Sequence, residues 1–180
     1  MLHLKHPLCL DDNFSIKPYE KGFFGEILVF FKKFQSEAKI SSLQQSDLDC
    51  YSGFYEDYLI SELSKIILKS DFCYVVYDNN EGRIASFFSF KRNLFMPDSI
   101  NIELVFYNPI YKRESNFVKS YKKMVTTVKS DKKAENITVA LLDRSKYKSY
   151  VNFIKRFFGV KLYTKDKFGR PIFTLPDYDS

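Results

Sequence analysis

The residues best placed to do chemistry lie between Ile100 and Tyr121. There an alternating apolar segment, Ile100-Asn-Ile-Glu-Leu-Val-Phe-Tyr107, runs through Asn108-Pro-Ile-Tyr-Lys-Arg-Glu-Ser-Asn116 into a basic helical pattern opening at Phe117. A strand that feeds directly into a helix can hold an anion, because the free N–H groups of the first turn and the helix dipole both face it. Glycines normally let such a loop approach a phosphate closely, and this loop has none. A second candidate is the lysine series Lys119, Lys122, Lys123, Lys129, Lys132 and Lys133, a surface suited to a nucleic-acid backbone. Lys119 and Lys123 are one turn apart and share a face. The competing reading is a solvated lysine-rich helix face, the commoner outcome for such a run.

Metal and disulfide chemistry are not expected. Cys9, Cys50 and Cys73 are odd in number, far apart and without histidines at ligand spacing, which argues against zinc and disulfides and for a reducing compartment. His3 and His6 read as part of a solvated N-terminal tail.

At 180 residues the chain is long enough to bury a sizeable core. Aromatic residues make up 18% of it, with no Trp, so the core should be built largely from Phe and Tyr rings. A net charge of +6 suits an acidic partner and equally suits plain solubility. The apolar run Phe23–Phe31 is interrupted by Gly25 and Glu26 and falls well short of the ~20 residues of a membrane span. No secretory leader is visible. These features predict a soluble, cytoplasmic protein with an N-terminal arm over 1–13, a single domain over 14–176 and a short tail over 177–180.

The elements that must position the candidate residues follow from periodicity. Phe14-Ser-Ile-Lys17 alternates and stops at Pro18, a first strand. From Tyr19, Phe23, Ile27, Phe30, Phe31 and Phe34 recur at helical spacing. Ser46 or Asp47 can cap a second helix striped by Leu48, Tyr51, Tyr55, Tyr58, Leu59, Leu63, Ile66 and Ile67, with Gly53 as a weak point. Phe72–Tyr77 and Arg83–Phe90 flank turn residues and form a hairpin. The third strand of that sheet, Ile100–Tyr107, places Ile100, Ile102, Leu104 and Phe106 on one face. A helix over about 115–131 turns Phe117, Tyr121, Met124, Val125 and Val128 inward. Asn136–Leu142 is a strand buried on both faces. A helix beginning at Asp143 or Ser145 ends at Gly159, with Tyr147, Tyr150, Val151, Ile154 and Phe157 inward. Val160–Thr164 and Pro171–Leu175 close the chain as a hairpin. The fold class is therefore α+β; α/β/α layers around a mixed, mostly antiparallel sheet are what its resemblance to a known family implies.

This order resembles the GNAT superfamily of acetyl-CoA-dependent N-acyltransferases over nearly the whole chain, from Phe14 to Leu175. Ser15-Ile-Lys-Pro18 looks like the family's opening strand and Asp78–Phe90 like its central hairpin. Leu104-Val-Phe-Tyr-Asn-Pro-Ile-Tyr-Lys112 is similar to its fourth-strand exit, and Asn152-Phe-Ile-Lys-Arg-Phe-Phe-Gly-Val160 to its last helix ending. The resemblance implies acetyl-CoA as cofactor if the protein is active. The fourth strand, at Val105 and Tyr107, would hydrogen-bond the pantetheine arm, and Lys112, Arg113, Ser115 and Asn116 would hold the pyrophosphate. The family loop has small residues where Ser115 and Phe117 stand here, and a phenylalanine there opposes close approach of the backbone, as does the charge of Glu114. Glu103 matches the position of a general base on the fourth strand, with a solvated surface carboxylate as the competing reading. The family tyrosine that protonates the leaving thiolate would fall at Lys155; Tyr147 and Tyr150, one to two turns earlier, take that role only if the helix is shifted. The segment from Asp143-Arg-Ser through Gly159-Val to Gly169-Arg-Pro-Ile-Phe-Thr174 also resembles acetyltransferase-like internal virion proteins of short-tailed phages, which would place the protein in a virion or its host's cytoplasm.

Three functions follow as expectations. The first is a GNAT-fold protein with a degenerate cofactor loop, acting without catalysis as a structural or binding component with protein partners, as in a viral assembly. The second is an active acetyl-CoA-dependent N-acyltransferase that positions an amine against a thioester. The third is a nucleic-acid-binding module built on Lys119, Lys122, Lys123 and Lys129.

Overall fold

The computed structural model describes residues 8–39, 52–94, 96–140, 148–166, 169 and 171–178; within these, only the backbone is described for 35–39, 52–55, 140 and 148–151. Seven strands form one sheet in the order β1-β2-β3-β4-β5-β7-β6. The strands are β1 (Phe14–Pro18), β2 (Phe72–Asp78), β3 (Arg83–Asn93), β4 (Met96–Tyr107), β5 (Asn136–Ala140), β6 (Lys161–Lys165) and β7 (Pro171–Leu175). Among the described residues the helices are α1 (Phe24–Lys39), α2 (Ser52–Lys69), α3 (Glu114–Lys132) and α4 (Lys148–Phe158), with single 3₁₀ turns at Lys21–Phe23 and Pro109–Tyr111. This is the expected α+β arrangement of a mostly antiparallel sheet with flanking helices. By contact density the chain divides into one unit of Met1–Ser89 with Val105–Arg113 and another of Phe90–Leu104 with Glu114–Ser180.

In the first unit, β1 pairs antiparallel with β2, from Phe14 opposite Asp78 to Pro18 opposite Tyr74. The strand stops at Pro18 because proline has no N–H to donate to the ladder. Helical periodicity from Tyr19 overreached: a 3₁₀ turn at Lys21–Phe23 precedes α1, which begins at Phe24. The stripe itself is correct, with Ile27, Phe30 and Phe31 fully buried. Glu26, which interrupts that apolar run, accepts a hydrogen bond from the Ile84 N–H at 2.5 Å and ties α1 to β3. The core is aromatic: the Phe106 ring lies 5.0–5.5 Å from those of Phe87, Phe31, Phe34 and Phe30. Leu59 and Leu63 of α2 are buried, while Tyr58 of the expected stripe is 43% exposed and Ile66 and Ile67 are only half-buried. Ser46, Asp47, Leu48 and Tyr51 lie outside the described residues.

Residues 8–13, within the expected arm, are attached. The Leu8 N–H donates to the Ile110 carbonyl at 2.7 Å, Leu10 is buried, and Asp11 accepts from Asn80.

In the second unit, β4 runs parallel to β5 in the register Ser99↔Asn136 to Ile102↔Val139, and β7 pairs antiparallel with β5 on its other edge. Neighbours on both edges and cover on both faces leave Ile137 and Thr138 with no exposure and Val139 with 5%, as the near-continuous apolar pattern requires. The strand β4 begins four residues before the expected Ile100. Ile100, Ile102 and Phe106 of its expected face are buried, and Leu104 is half-buried. The second unit has its own ring cluster: Phe117, Tyr121, Phe153 and Phe158 contact one another at centroid distances of 4.7–6.1 Å. Here the inward assignment needs correction. Phe158, not Phe157, is the fully buried ring at the end of α4. Gly159 follows at φ 57°, a left-handed cap that glycine adopts without the steric penalty of a side chain. Among the described residues no helix is long and apolar enough to cross a membrane.

Candidate functional site

The first unit holds the loop that carries the cations. Asn108 anchors it three ways: its N–H donates to the Ala85 carbonyl at 2.9 Å, its Nδ2 donates to the Ile84 carbonyl at 3.1 Å, and its Oδ1 accepts from the Ile110 N–H at 3.2 Å. Pro109 presets the 3₁₀ turn, since its fixed φ suits a first helical position and its missing N–H is not needed there. That turn points the fully buried Tyr111 inward, where its hydroxyl donates to Asp78 Oδ2 at 2.7 Å. Asp78 Oδ1 accepts from the Asn80 and Glu81 N–H groups at 3.0 and 3.2 Å, closing the β2–β3 turn at the same carboxylate. Burial, with Asp78 beside it, pushes the Tyr111 phenol above its ordinary range, so it remains a donor. No signal in the sequence marked Asp78, Tyr111 and Asn108 as a network, because their partners are 24 to 33 residues away.

The candidate cofactor residues of this unit are Val105 and Tyr107, both half-buried on β4, and Lys112 and Arg113, both exposed at the end of the loop. The Arg113 N–H is turned back onto the Tyr111 carbonyl at 2.6 Å.

In the second unit, α3 opens with exposed Glu114 and Ser115, followed by buried Asn116. Phe117 is half-buried, and its ring lies against Phe153 at 5.1 Å, Tyr121 at 5.5 Å and Phe158 at 6.1 Å. The ring is thus committed to the flank of the helix, beside α4. Glu103 is exposed on β4 and accepts a 2.6 Å hydrogen bond from Asn101 Nδ2. Tyr147 lies outside the described residues, and Tyr150 is on α4, where only the backbone is described. His3, His6 and Cys50 also lie outside them.

The lysines separate by exposure. Lys119 and Lys123 are exposed, whereas Lys122 and Lys129 are half-buried. The segment after β7 lies over the latter two. Asp177 forms an ion pair with Lys129, Thr126 Oγ1 donates to the Tyr178 carbonyl at 3.2 Å, and Lys122 Nζ stands 5.1 Å from the Tyr178 ring centre. The Tyr178 hydroxyl donates to the Phe158 carbonyl at 2.8 Å, and burial raises its phenol above the ordinary value. The sequence carried no sign of this contact, because Asp177 and Lys129 are 48 residues apart.

No family model matches the chain, and no curated protein sequence matches it. Solved structures do. A GNAT-family acetyltransferase from Staphylococcus aureus superposes with a TM-score of 0.57 at 14% identity, covering 90% of this chain and 98% of that one. The ribosomal-protein-S18-alanine N-acetyltransferase from Escherichia coli gives 0.55 at 11%, covering 93% and 96%. The spermidine N-acetyltransferase from Vibrio cholerae, solved with CoA and spermine, gives 0.57 at 10%, covering 92% and 95%. With near-complete coverage on both sides, the chain has the fold of the GNAT acetyltransferases.

Proposed function

We propose that this protein is a GNAT-fold component that binds or scaffolds without turning over acetyl-CoA, in an assembly with protein partners such as a virion. The observation that carries this reading is the first turn of α3. A pyrophosphate cradle needs bare backbone N–H groups and small residues. Here the turn opens with the negative charge of Glu114, Asn116 is buried, Phe117 is held in a ring cluster, and no glycine occurs between Lys112 and Phe117. Glu103, the one candidate base with a described side chain, is exposed and held by Asn101 rather than set in an apolar pocket.

A second reading, an N-acyltransferase acting on an amine, is supported by one feature. Lys112 and Arg113 are exposed at the loop end. The spermidine enzyme of similar fold was solved with CoA and spermine. Calorimetric titration with acetyl-CoA and with CoA decides between the two, with Lys112→Glu as control. The scaffold reading expects no heat and no thermal shift at millimolar ligand. Micromolar binding that is lost in the variant would overturn it and send the search to amine substrates.

A further inference from the structure

The cations of α3 form a line. At about 100° per residue, Lys119, Lys122, Lys123 and Lys129 fall within an arc of about 120°, opposite the buried Ser120, Tyr121, Met124 and Val128. With a rise of about 1.5 Å per residue they extend along about 15 Å of one helix face. A line of charges this long fits successive phosphates of a nucleic-acid backbone better than one small anion.

The segment after β7 occupies Lys122 and Lys129. Lys129 is paired with Asp177, and Lys122 is directed at the ring of Tyr178. Between them Thr126 holds the Tyr178 carbonyl, so Pro176–Tyr178 follows the same stripe as the lysines. Tyr178 is held by its hydroxyl on the Phe158 carbonyl and by Thr126, and the weak part of the attachment is the charged one. Asp177 is 78% exposed, and an ion pair so exposed holds weakly. A cavity of about 300 Å³ lined by Val125, Thr126, Lys129, Ser130, Pro176, Asp177 and Tyr178 leaves the segment bridging the helix rather than filling its surface.

We propose that Pro176–Tyr178 is an autoinhibitory strap over a nucleic-acid-binding face. Seated, it occupies Lys122 and Lys129 with its own carboxylate and aromatic ring. Lifted, it releases Lys122 and Lys129 to contact phosphates along this face of α3. This goes beyond the scaffold reading and does not depend on whether acetyl-CoA binds.

The test is fluorescence anisotropy of the full chain with a labelled duplex of about 20 base pairs, over about 50 to 200 mM salt. Tyr178→Ala frees the strap without changing charge. It should tighten binding about three- to tenfold and steepen the log–log salt dependence by about two, at ~0.9 per added phosphate contact. Asp177→Asn should give a smaller gain, with a slope change of about one. Adding Lys122→Gln and Lys129→Gln to Tyr178→Ala should return both values to those of the parent. Circular dichroism melts establish that each variant is folded; if Tyr178→Ala is not, Asp177→Asn decides. Unchanged affinity and slope in the folded variants, or no binding of the duplex by any form at about 50 mM salt, would overturn the proposal.

Discussion

Two tyrosine hydroxyls fasten two segments of this molecule, under opposite conditions. Tyr111 has no exposure, its partner Asp78 has 3%, and that carboxylate also receives two backbone N–H groups of the β2–β3 turn. Tyr178 reaches a backbone carbonyl on α4, beside an ion pair whose carboxylate is largely in water. Water cannot substitute for the partners of a buried network, so removing one leaves another unsatisfied. At the surface it can, and a contact there opens at little cost. The loop around Tyr111 is therefore part of the fold, whereas in the segment that holds Tyr178 the exposed Asp177–Lys129 pair is the weak fastener.

The strongest way to probe the first region is to remove the ring on which its core converges. Phe106→Ala should destabilise the protein by about 3–5 kcal/mol in urea denaturation, because four aromatic neighbours lose a common contact. A loss under about 1 kcal/mol would mean the first unit is loosely packed, and the contrast would fail.

Next in size, Tyr111→Phe should cost about 1–3 kcal/mol, since the buried Asp78 carboxyl loses a donor that water cannot replace. Asp177→Asn should cost about 0–1 kcal/mol. Equal losses in the two variants would erase the distinction between sealed and displaceable fasteners.

A pH dependence is also expected in the first unit, confined to alkaline solution. Burial pushes the Cys73 thiol up to about 11, partly offset by a hydrogen bond with Ser70. The unfolded thiol ionises near 9. Because the folded state favours the neutral form, this contribution to stability is complete below about 9 and is lost as pH rises toward 11. Denaturation midpoints should therefore fall more steeply for the parent than for Cys73→Ala across that window. Parallel curves would show that Cys73 is open to water.

Much of the architecture was legible along the chain because it depends on local spacing. The stripe Ile27, Phe30 and Phe31, the stop at Pro18, the hairpin over 72–90, the apolar β5 and the left-handed Gly159 each follow from periodicity or backbone chemistry within a few residues. The candidate cofactor loop was also legible as Lys112–Asn116, along with its lack of glycine. Element edges were less so: β4 starts at Met96, and α1 starts after a 3₁₀ turn. Near a boundary, capping and pairing with distant strands outweigh propensity. At the end of α4 the helical period could not separate Phe157 from Phe158, because adjacent positions differ by only about 100° and the neighbouring rings decide which is covered.

What the sequence determined by itself was an α+β fold, an aromatic core and a basic third helix, because these follow from residue types at fixed short spacings. Only the tertiary structure decided that Asp78, Asn108 and Tyr111 form one sealed network, that Phe117 belongs to a ring cluster, and that Asp177 and Tyr178 cover Lys129 and Lys122. The physical reason is distance along the chain. Those partners are 24 to 56 residues apart (178 − 122 = 56), and no local rule links such positions until the strands and helices between them have folded.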